Sequence, residues 1–342
     1  MKILYIANIR LPTEKAHGVQ IMKTCEAFAA AGVQVELAVT DRATPITGDP
    51  LVYYEIKTRF AVTRLAVPDT VGWGKLGFWL ESLSFARQAR RALAVRRPDI
   101  MYGRDELVLV QLPIQCPLVW ETHTGAWNRA ARTVARRAHK IVAISQGLKD
   151  FYVARGVPAE KIIIARDGVD LAQFDIKESS ANARTRIGIG DNRPIAMYTG
   201  SRYVRKGVQT FEKAGELLPD INAIIVSGRP YAEIPLYLRA ADVLVLPNSA
   251  HDGISSIFTS PMKLFEYMAA GKPIIASDVP AAREVLDDSN AYFFTPDDPQ
   301  SLADAIKKAL TDPHASQKAF RAREEVKEYS WDTRAQTILR GL

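Results

Sequence analysis

The sequence predicts an α/β protein built from two doubly wound parallel sheets. Three observations carry that expectation. Short runs that are apolar on both faces recur from one end of the chain to the other, helical patterns lie between them, and 342 residues are enough for two domains of ordinary size.

In the first half the apolar runs are ILYIAN (3–8), VQVELAV (33–39), IMYG (100–103), PLVWET (117–122) and KIVAIS (140–145). In the second they are IAMYTG (195–200), NAIIVSG (222–228), DVLVLPN (242–248), PIIASD (273–278) and AYFF (291–294). Parallel strands covered by helices are buried on both sides, so their residues do not alternate in polarity. Between the first two runs, VQIMKTCEAFAAAG sets Ile21, Cys25 and Phe28 on one helical stripe, and Gly32 stops the helix. A strand-like IIIARD then runs through DGVDLAQF into the polar stretch DIKESSANARTRIGIGDN, which places the break between the sheets near 165–190. The expected domains are 1–164 and 165–330, with a final segment 331–342. AIIVSGRPYAEIPLYL fuses two apolar runs, so the second domain is expected to be short by one βα unit. Ligands of such sheets bind at the carboxyl ends of the strands, and the cleft between the two domains is where chemistry is expected.

Composition narrows the class. Apolar content of 47% and charged content of 24% are globular values. MKILYIAN is too short an apolar run for a signal peptide, and no stretch approaches the ~20 apolar residues of a membrane span. Cys25 and Cys116 lack metal-ligand or redox spacing, which points to a reduced, cytoplasmic setting. The net charge of +7 is uneven: residues 1–164 hold 23 Lys and Arg against 14 Asp and Glu, and the remainder holds 22 against 24. One half is therefore expected to meet an anionic partner.

Two stretches of the second half carry chemistry. YTGSRYVRKGV (198–208) follows a strand and precedes a helix, so Gly200 permits a tight turn while Arg202 and Lys206 stand beside free amides, the makings of a phosphate site. A glycine turn with two solvated cations is the plainer alternative. No acidic Asp-x-Asp triplet is present, so no metal site is expected, and these cations would have to meet a diphosphate's charge. KLFEYMAAGKPIIASD (263–278) sets Glu266 in an apolar helix, where a carboxylate can accept from two ribose hydroxyls. Pairing with Lys263, three residues earlier, is the alternative.

Taken in order, HGVQIMK, THT around His123, AISQGLKDF, DGVD (167–170), GSRYVRKG, YLRAADVLVLPN, SPMKLFEYMAAGKPIIASDVPAAREVL and a late YSW resemble the GT-B glycosyltransferases of the retaining family 4 type, over nearly the whole chain. The resemblance implies two Rossmann-like domains facing a central cleft and a C-terminal helix returning to the first. It implies a nucleotide-diphosphate sugar, UDP- or GDP-linked, as donor, and a glycan or lipid-linked acceptor. By it, Arg202 and Lys206 hold the diphosphate with Gly200, Glu266 holds the ribose, and the backbone at Gly228, Arg229 and Tyr231 recognises the base. Gly18 approaches the phosphates from the first domain, and His123 touches the transferred sugar. The sequence departs from the family at Phe258, where a second glutamate is usual, and its loop reads Ser-Pro-x-Lys. Ser260, Lys263 and Leu264 are therefore assigned to the donor side, with Asp252 as a further candidate acid. No enzymic nucleophile is evident. A catalytically silent nucleotide-sugar-binding chain and a nucleotide-sugar epimerase are the rival readings.

Two basic stretches occupy the first half. WGKLGFWLESLSFARQARRALAVRRP (73–98) reads as a helix with Trp73, Leu76, Phe78, Trp79, Leu80 and Leu83 at its start and Arg87, Arg90, Arg91, Arg96 and Arg97 at its end. RAARTVARRAHK (129–140) puts Arg129, Arg132, Arg136 and Lys140 at helical spacing. Cations beside apolar residues suit the anionic inner face of a plasma membrane. A solvated basic face over a buried aromatic stripe is the alternative. No recognised motif supports nucleic-acid binding.

Overall fold

The computed structural model describes residues 1–342 and divides into two compact units. The first comprises Met1–Ile144, Leu148–Ala165 and Trp331–Leu342; the second comprises Ser145–Gly147 and Arg166–Ser330.

The first unit holds a seven-stranded parallel sheet in the order β3-β2-β1-β4-β5-β6-β7. Its strands are β1 (Lys2–Ala7), β2 (Gln34–Thr40), β3 (Ala61–Leu65), β4 (Ile100–Gly103), β5 (Leu118–Thr122), β6 (Lys140–Ala143) and β7 (Ile162–Ile164). The five inner strands are the five apolar runs. β3 was not among them because it is an edge strand: every residue of AVTRL keeps some exposure, so no apolar pattern marks it. The Ala16–Ala30 helix buries the Ile21, Cys25 and Phe28 stripe against the sheet. The Trp331–Gly341 helix belongs to this unit as well, with Ala335 and Ile338 buried and Gly341 against Ile163.

The second unit holds a five-stranded parallel sheet in the order β12-β11-β10-β8-β9. Its strands are β8 (Ile195–Thr199), β9 (Asn222–Val226), β10 (Val243–Leu246), β11 (Ile274–Ser277) and β12 (Tyr292–Phe294). Alternate residues of β8 feed opposite cores. Ile195 and Met197 join Leu264, Phe265 and Met268 on one face, while Ala196 and Tyr198 join Phe211 and Leu302 on the other. A single short helix, Ile234–Ala240, carries the chain from β9 into β10. The polar stretch after residue 175 is not a bare linker. It contains the Ser180–Arg186 helix, capped by Ser179, and Arg184 Nε donates to Ala240 O at 3.0 Å.

In each sheet the strand order reverses once, between β1 and β4 and between β8 and β10. At such a switch point adjacent loops leave in opposite directions and open a crevice at the strands' carboxyl ends.

The first unit's basic helix departs from the alternative of a buried aromatic stripe. The Gly74–Arg96 helix leaves Leu76, Trp79 and Leu80 exposed, and Trp73, in the preceding 3-10 turn, is 72% exposed. The aromatic stripe therefore faces outward rather than lying beneath the basic face. Lys140 starts β6 and is not on the Arg129–Arg137 helix, whose own cations end at Arg137. No helix is long and apolar enough to cross a membrane.

Candidate active site

In the second unit the crevice-forming loops follow β8 and β10. Gly200, just past β8, has φ +134, and a Cβ there would lie 2.5 Å from Lys263 Nζ. The positive φ favours glycine here, and the missing Cβ leaves room for the end of the Lys263 side chain. Lys263 comes from the first turn of the Met262–Ala270 helix, and its ammonium sits 3.8 Å from the centre of the Tyr198 ring. Lys206 closes the 3-10 turn Val204–Lys206 in the loop after β8. That loop is fastened to the β10 side: Ser249 N donates to Arg205 O at 3.2 Å, and Ser255 Oγ donates to the same carbonyl.

The electrostatics of this group are uncompensated. Burial holds the Lys263 ammonium well below its ordinary range, and Lys206 adds repulsion. Lys206 is itself lowered, by burial and then by Arg205, with Asp252 and Asp167 pulling the other way. Glu266, one turn along the helix from Lys263 and 5% exposed, is pushed up to about 7 by burial; Lys263 and the Tyr231 hydroxyl pull it down. Each shift runs towards neutrality, as desolvation dictates when partners do not balance it. Ser260 is buried, and its Oγ accepts from Asp167 N at 3.0 Å, which brings the DGVD turn to the start of this helix.

The structure does not bring Arg202 to this group. Its guanidinium is exposed and pairs with Glu212 at 2.7 Å, so Lys263, not Arg202, is the second cation beside Lys206. The Leu264 side chain is fully buried in the core with Phe265 and Met268, so only its backbone is left to face a ligand. Asp252 caps the short 253–256 helix through Ile254 N at 2.7 Å. Gly228 and Arg229 lie in an exposed turn, and the Arg229 guanidinium stands 5.7 Å from the Tyr237 ring. Tyr231 packs against Phe174 and the sheet core.

In the first unit, Gly18 sits in the first turn of the 16–30 helix. A Cβ there would meet the Tyr54 hydroxyl at 2.3 Å; that hydroxyl accepts from Thr13 N and donates to Thr13 O, each at 2.8 Å. Gly18 thus keeps the post-β1 loop tight against the helix start. His123 follows β5, and its Nε2 is 2.6 Å from Glu121 Oε1. Burial and then Arg104 bring the His123 ring down to about 4, so it is neutral near pH 7. Glu121 is fully buried. Burial alone raises a carboxyl, but Arg334, His123 and Arg104 outweigh it and hold Glu121 well below the usual carboxylate range.

Glu121, Arg104, Arg334 and Asp167 were not picked out by sequence reasoning. A signal existed for Glu121. A carboxylate inside the apolar run PLVWET is the same anomaly that singled out Glu266. Arg334 gave none, because its partner lies on a strand far away in sequence.

Comparison with known proteins agrees with this architecture. The chain matches the family described as Glycosyl transferases group 1 over residues 193–312 and the one described as Glycosyltransferase Family 4 over residues 17–173. The D-inositol 3-phosphate glycosyltransferase of Xylanimonas cellulosilytica is 26% identical over 245 residues, 61% of this chain. Among solved structures, sucrose-phosphate synthase from Thermosynechococcus elongatus superposes with a TM-score of 0.80 at 17% identity, covering 99% of this chain and 98% of that one. Anabaena HepE in complex with UDP-glucose gives a TM-score of 0.77 at 17% identity, with coverages of 99% and 98%. The matched segments span 57% of the length of the first curated relatives. Two doubly wound α/β units of this topology define the GT-B fold. Between them the two family matches take in most of both units, and the chain resembles the group 1, family 4 glycosyltransferases.

Proposed function

We propose that the chain transfers a hexose-type sugar from a nucleoside-diphosphate donor to a glycan or lipid-linked acceptor, with retention at the anomeric carbon. The observation that carries this reading is the group of two half-buried lysines, Lys206 and Lys263, with the buried Glu266 at the β8/β10 switch point. Two ammonium groups short of counter-charge suit a diphosphate, and a carboxylate beside them suits a ribose diol. The family matches and the UDP-glucose complex of HepE support a nucleotide-sugar donor, with UDP favoured over GDP. Relatives named for amylovoran and teichuronic acid biosynthesis support an acceptor in envelope polysaccharide synthesis.

The reaction breaks the bond between the anomeric carbon and the β-phosphate oxygen, and the electron pair leaves with the diphosphate. Lys206 and Lys263 meet that new charge, stabilising the transition state more than the bound donor. The acceptor hydroxyl attacks from the face the phosphate leaves, and its proton passes to the departing phosphate oxygen. No enzymic nucleophile and no divalent metal enter this scheme. His123 is the first-unit residue that this reading assigns to the transferred sugar. The test is donor turnover with UDP-glucose and related donors, with the anomeric configuration of the product read by NMR. Loss of turnover and of nucleotide binding in Lys206→Ala and Lys263→Ala supports the reading; unchanged turnover in both overturns it.

Phe258, where the family usually has glutamate, favours a second reading: a chain that binds a nucleotide sugar without turning it over. Tight donor binding with no transfer to any acceptor is its signature, while product from donor alone indicates an epimerase.

We also propose that the Gly74–Arg96 helix rests on an anionic lipid surface at the cytoplasmic face. Leu76, Trp79 and Leu80 share an exposed stripe with Arg87, Arg90 and Arg91, so apolar insertion and charge attraction act together. Reversing the three arginines should lower sedimentation with phosphatidylserine vesicles; unchanged sedimentation overturns this partner.

A further inference from the structure

Four side chains converge on Glu121: Gln20 and Tyr102 donate to it, Arg334 forms an ion pair with it, and a ring nitrogen of His123 faces it. Gln20 Nε2 lies 2.6 Å from Oε1, His123 Nε2 lies 2.6 Å from the same oxygen, Arg334 Nη2 lies 2.9 Å from Oε2, and the Tyr102 hydroxyl donates to Oε2. The orientation of Gln20 is not free, since its Oε1 accepts from Arg104 Nη1 at 2.8 Å, leaving only the amide nitrogen to face Glu121. Arg334 is equally pinned. Its Nη1 donates to Thr24 Oγ1 at 3.0 Å, and its side chain is 2% exposed. A fully buried carboxylate that receives two formal donors of its own and an arginine has no proton to give. The imidazole nitrogen facing it must therefore carry the hydrogen, which leaves Nδ1 as the ring's lone pair.

We propose that Glu121 and Arg334 are positioning residues that fix the tautomer of His123, so that Nε2 is spent on Glu121 and Nδ1 is left as an acceptor for a sugar hydroxyl. The ligand chemistry follows from this. An Nδ1 acceptor recognises a hydroxyl hydrogen and rejects a carboxylate or phosphate oxygen at the same place. The inference rests on the reading of His123 as facing the sugar, but the wiring itself belongs to one unit. It makes residues 331–342 part of the site's machinery, acting through Glu121, rather than a strap that only closes the core.

The other charged groups around the ring act in the same direction. Arg104 and Arg334 both oppose a proton on His123, and only Glu121 favours one. His17, in the first turn of the 16–30 helix, is lowered to about 4, first by burial and then by Arg104, and so stays neutral beside it. Removing the Arg334 charge takes away one opponent and leaves Glu121 seeking a proton, so His123 should become easier to protonate.

The experiment is NMR of the full chain labelled with 15N-histidine, with the His123 ring assigned by its disappearance in His123→Gln. The expected result is a neutral ring with hydrogen on Nε2 from pH 5.5 to 8. In Arg334→Met the titration midpoint should rise by about one pH unit or more, and Arg334→Lys should restore most of it. Glu121→Gln with Arg334→Met removes both charges together, so it remains folded if the single variants do not, and it should lose the fixed tautomer. In the same variants kcat with a donor should fall while the donor KM changes little. A wild-type ring with hydrogen on Nδ1, or a ring unmoved by Arg334→Met and by the double variant, overturns the proposal. If the ring responds as described but turnover does not follow, the placement of His123 at the sugar fails, which the NMR readout separates from failure of the wiring.

Discussion

The two units solve the same problem in opposite ways. Each buries ionisable side chains at the carboxyl ends of its strands. In the first, Glu121 is surrounded by donors and by Arg334, and pairing outweighs burial, so the carboxyl is held down. In the second, Lys206, Lys263 and Glu266 are all shifted towards their neutral forms, so burial outweighs pairing. A satisfied network is a finished structure. An unsatisfied one stores a demand that a charged, hydroxyl-bearing ligand can meet, and this is why the donor is assigned to the second unit.

The contrast can be broken most forcefully at Glu121. Glu121→Ala leaves the Arg334 charge buried without its carboxylate, and should cost about 3–5 kcal/mol of stability, read by denaturant unfolding. A loss below about 1 kcal/mol would show that the network is not the closed system described. Removing a cation from the second unit should act on function instead. Lys263→Ala and Lys206→Ala are each expected to lower kcat/KM by about 10²–10³-fold, with the unliganded protein as stable as before or more so. Equal destabilisation in both units would erase the distinction drawn here.

Glu266 sharpens the comparison further. Glu266→Gln should weaken nucleotide binding by about 1.5–3 kcal/mol in calorimetry while leaving the apo protein unharmed. The two glutamates also predict opposite pH behaviour. Glu266 is raised from 4.5 to about 7, so between those values the folded state holds a proton that the unfolded state has released, and apo stability falls as pH rises. Glu121 is lowered, so its contribution is present above 4.5 and is lost as pH falls below that value. Nucleotide binding needs the Glu266 carboxylate and should strengthen as pH rises through about 7, with proton release on binding; a flat profile from pH 6 to 8 would refute that role. The smallest effect is expected at Arg202, whose exposed pair with Glu212 is worth about 0–1 kcal/mol. Arg202→Ala should change donor affinity by less than about fivefold, and a larger drop would return Arg202 to the site.

Much of this was written plainly in the sequence. The inner strands were legible because double-sided burial leaves an unbroken apolar run, and β3 was not because an edge strand needs no such run. Lys206, Lys263, Ser260 and Glu266 were legible because their motifs sit at strand ends and helix starts, where topology alone makes a crevice. The direction of Arg202 was not legible for a physical reason: its position in the loop is fixed by sequence, but its partner here, Glu212, stands ten residues on. Arg334 was invisible because its meaning depends on a carboxylate in another sheet strand, a relation no local pattern encodes.

The return of residues 331–342 to the first unit has a consequence for biogenesis. During synthesis the strands β1 to β7 leave the ribosome long before Arg334 does, so Glu121 must wait without its ion-pair partner while the whole second unit is made. The amino-terminal unit is then the first to begin folding and the last to finish, and a nascent chain stalled before residue 331 should remain open to proteolysis in that unit. Vectorial translation, which usually completes domains in order, here completes them inside out.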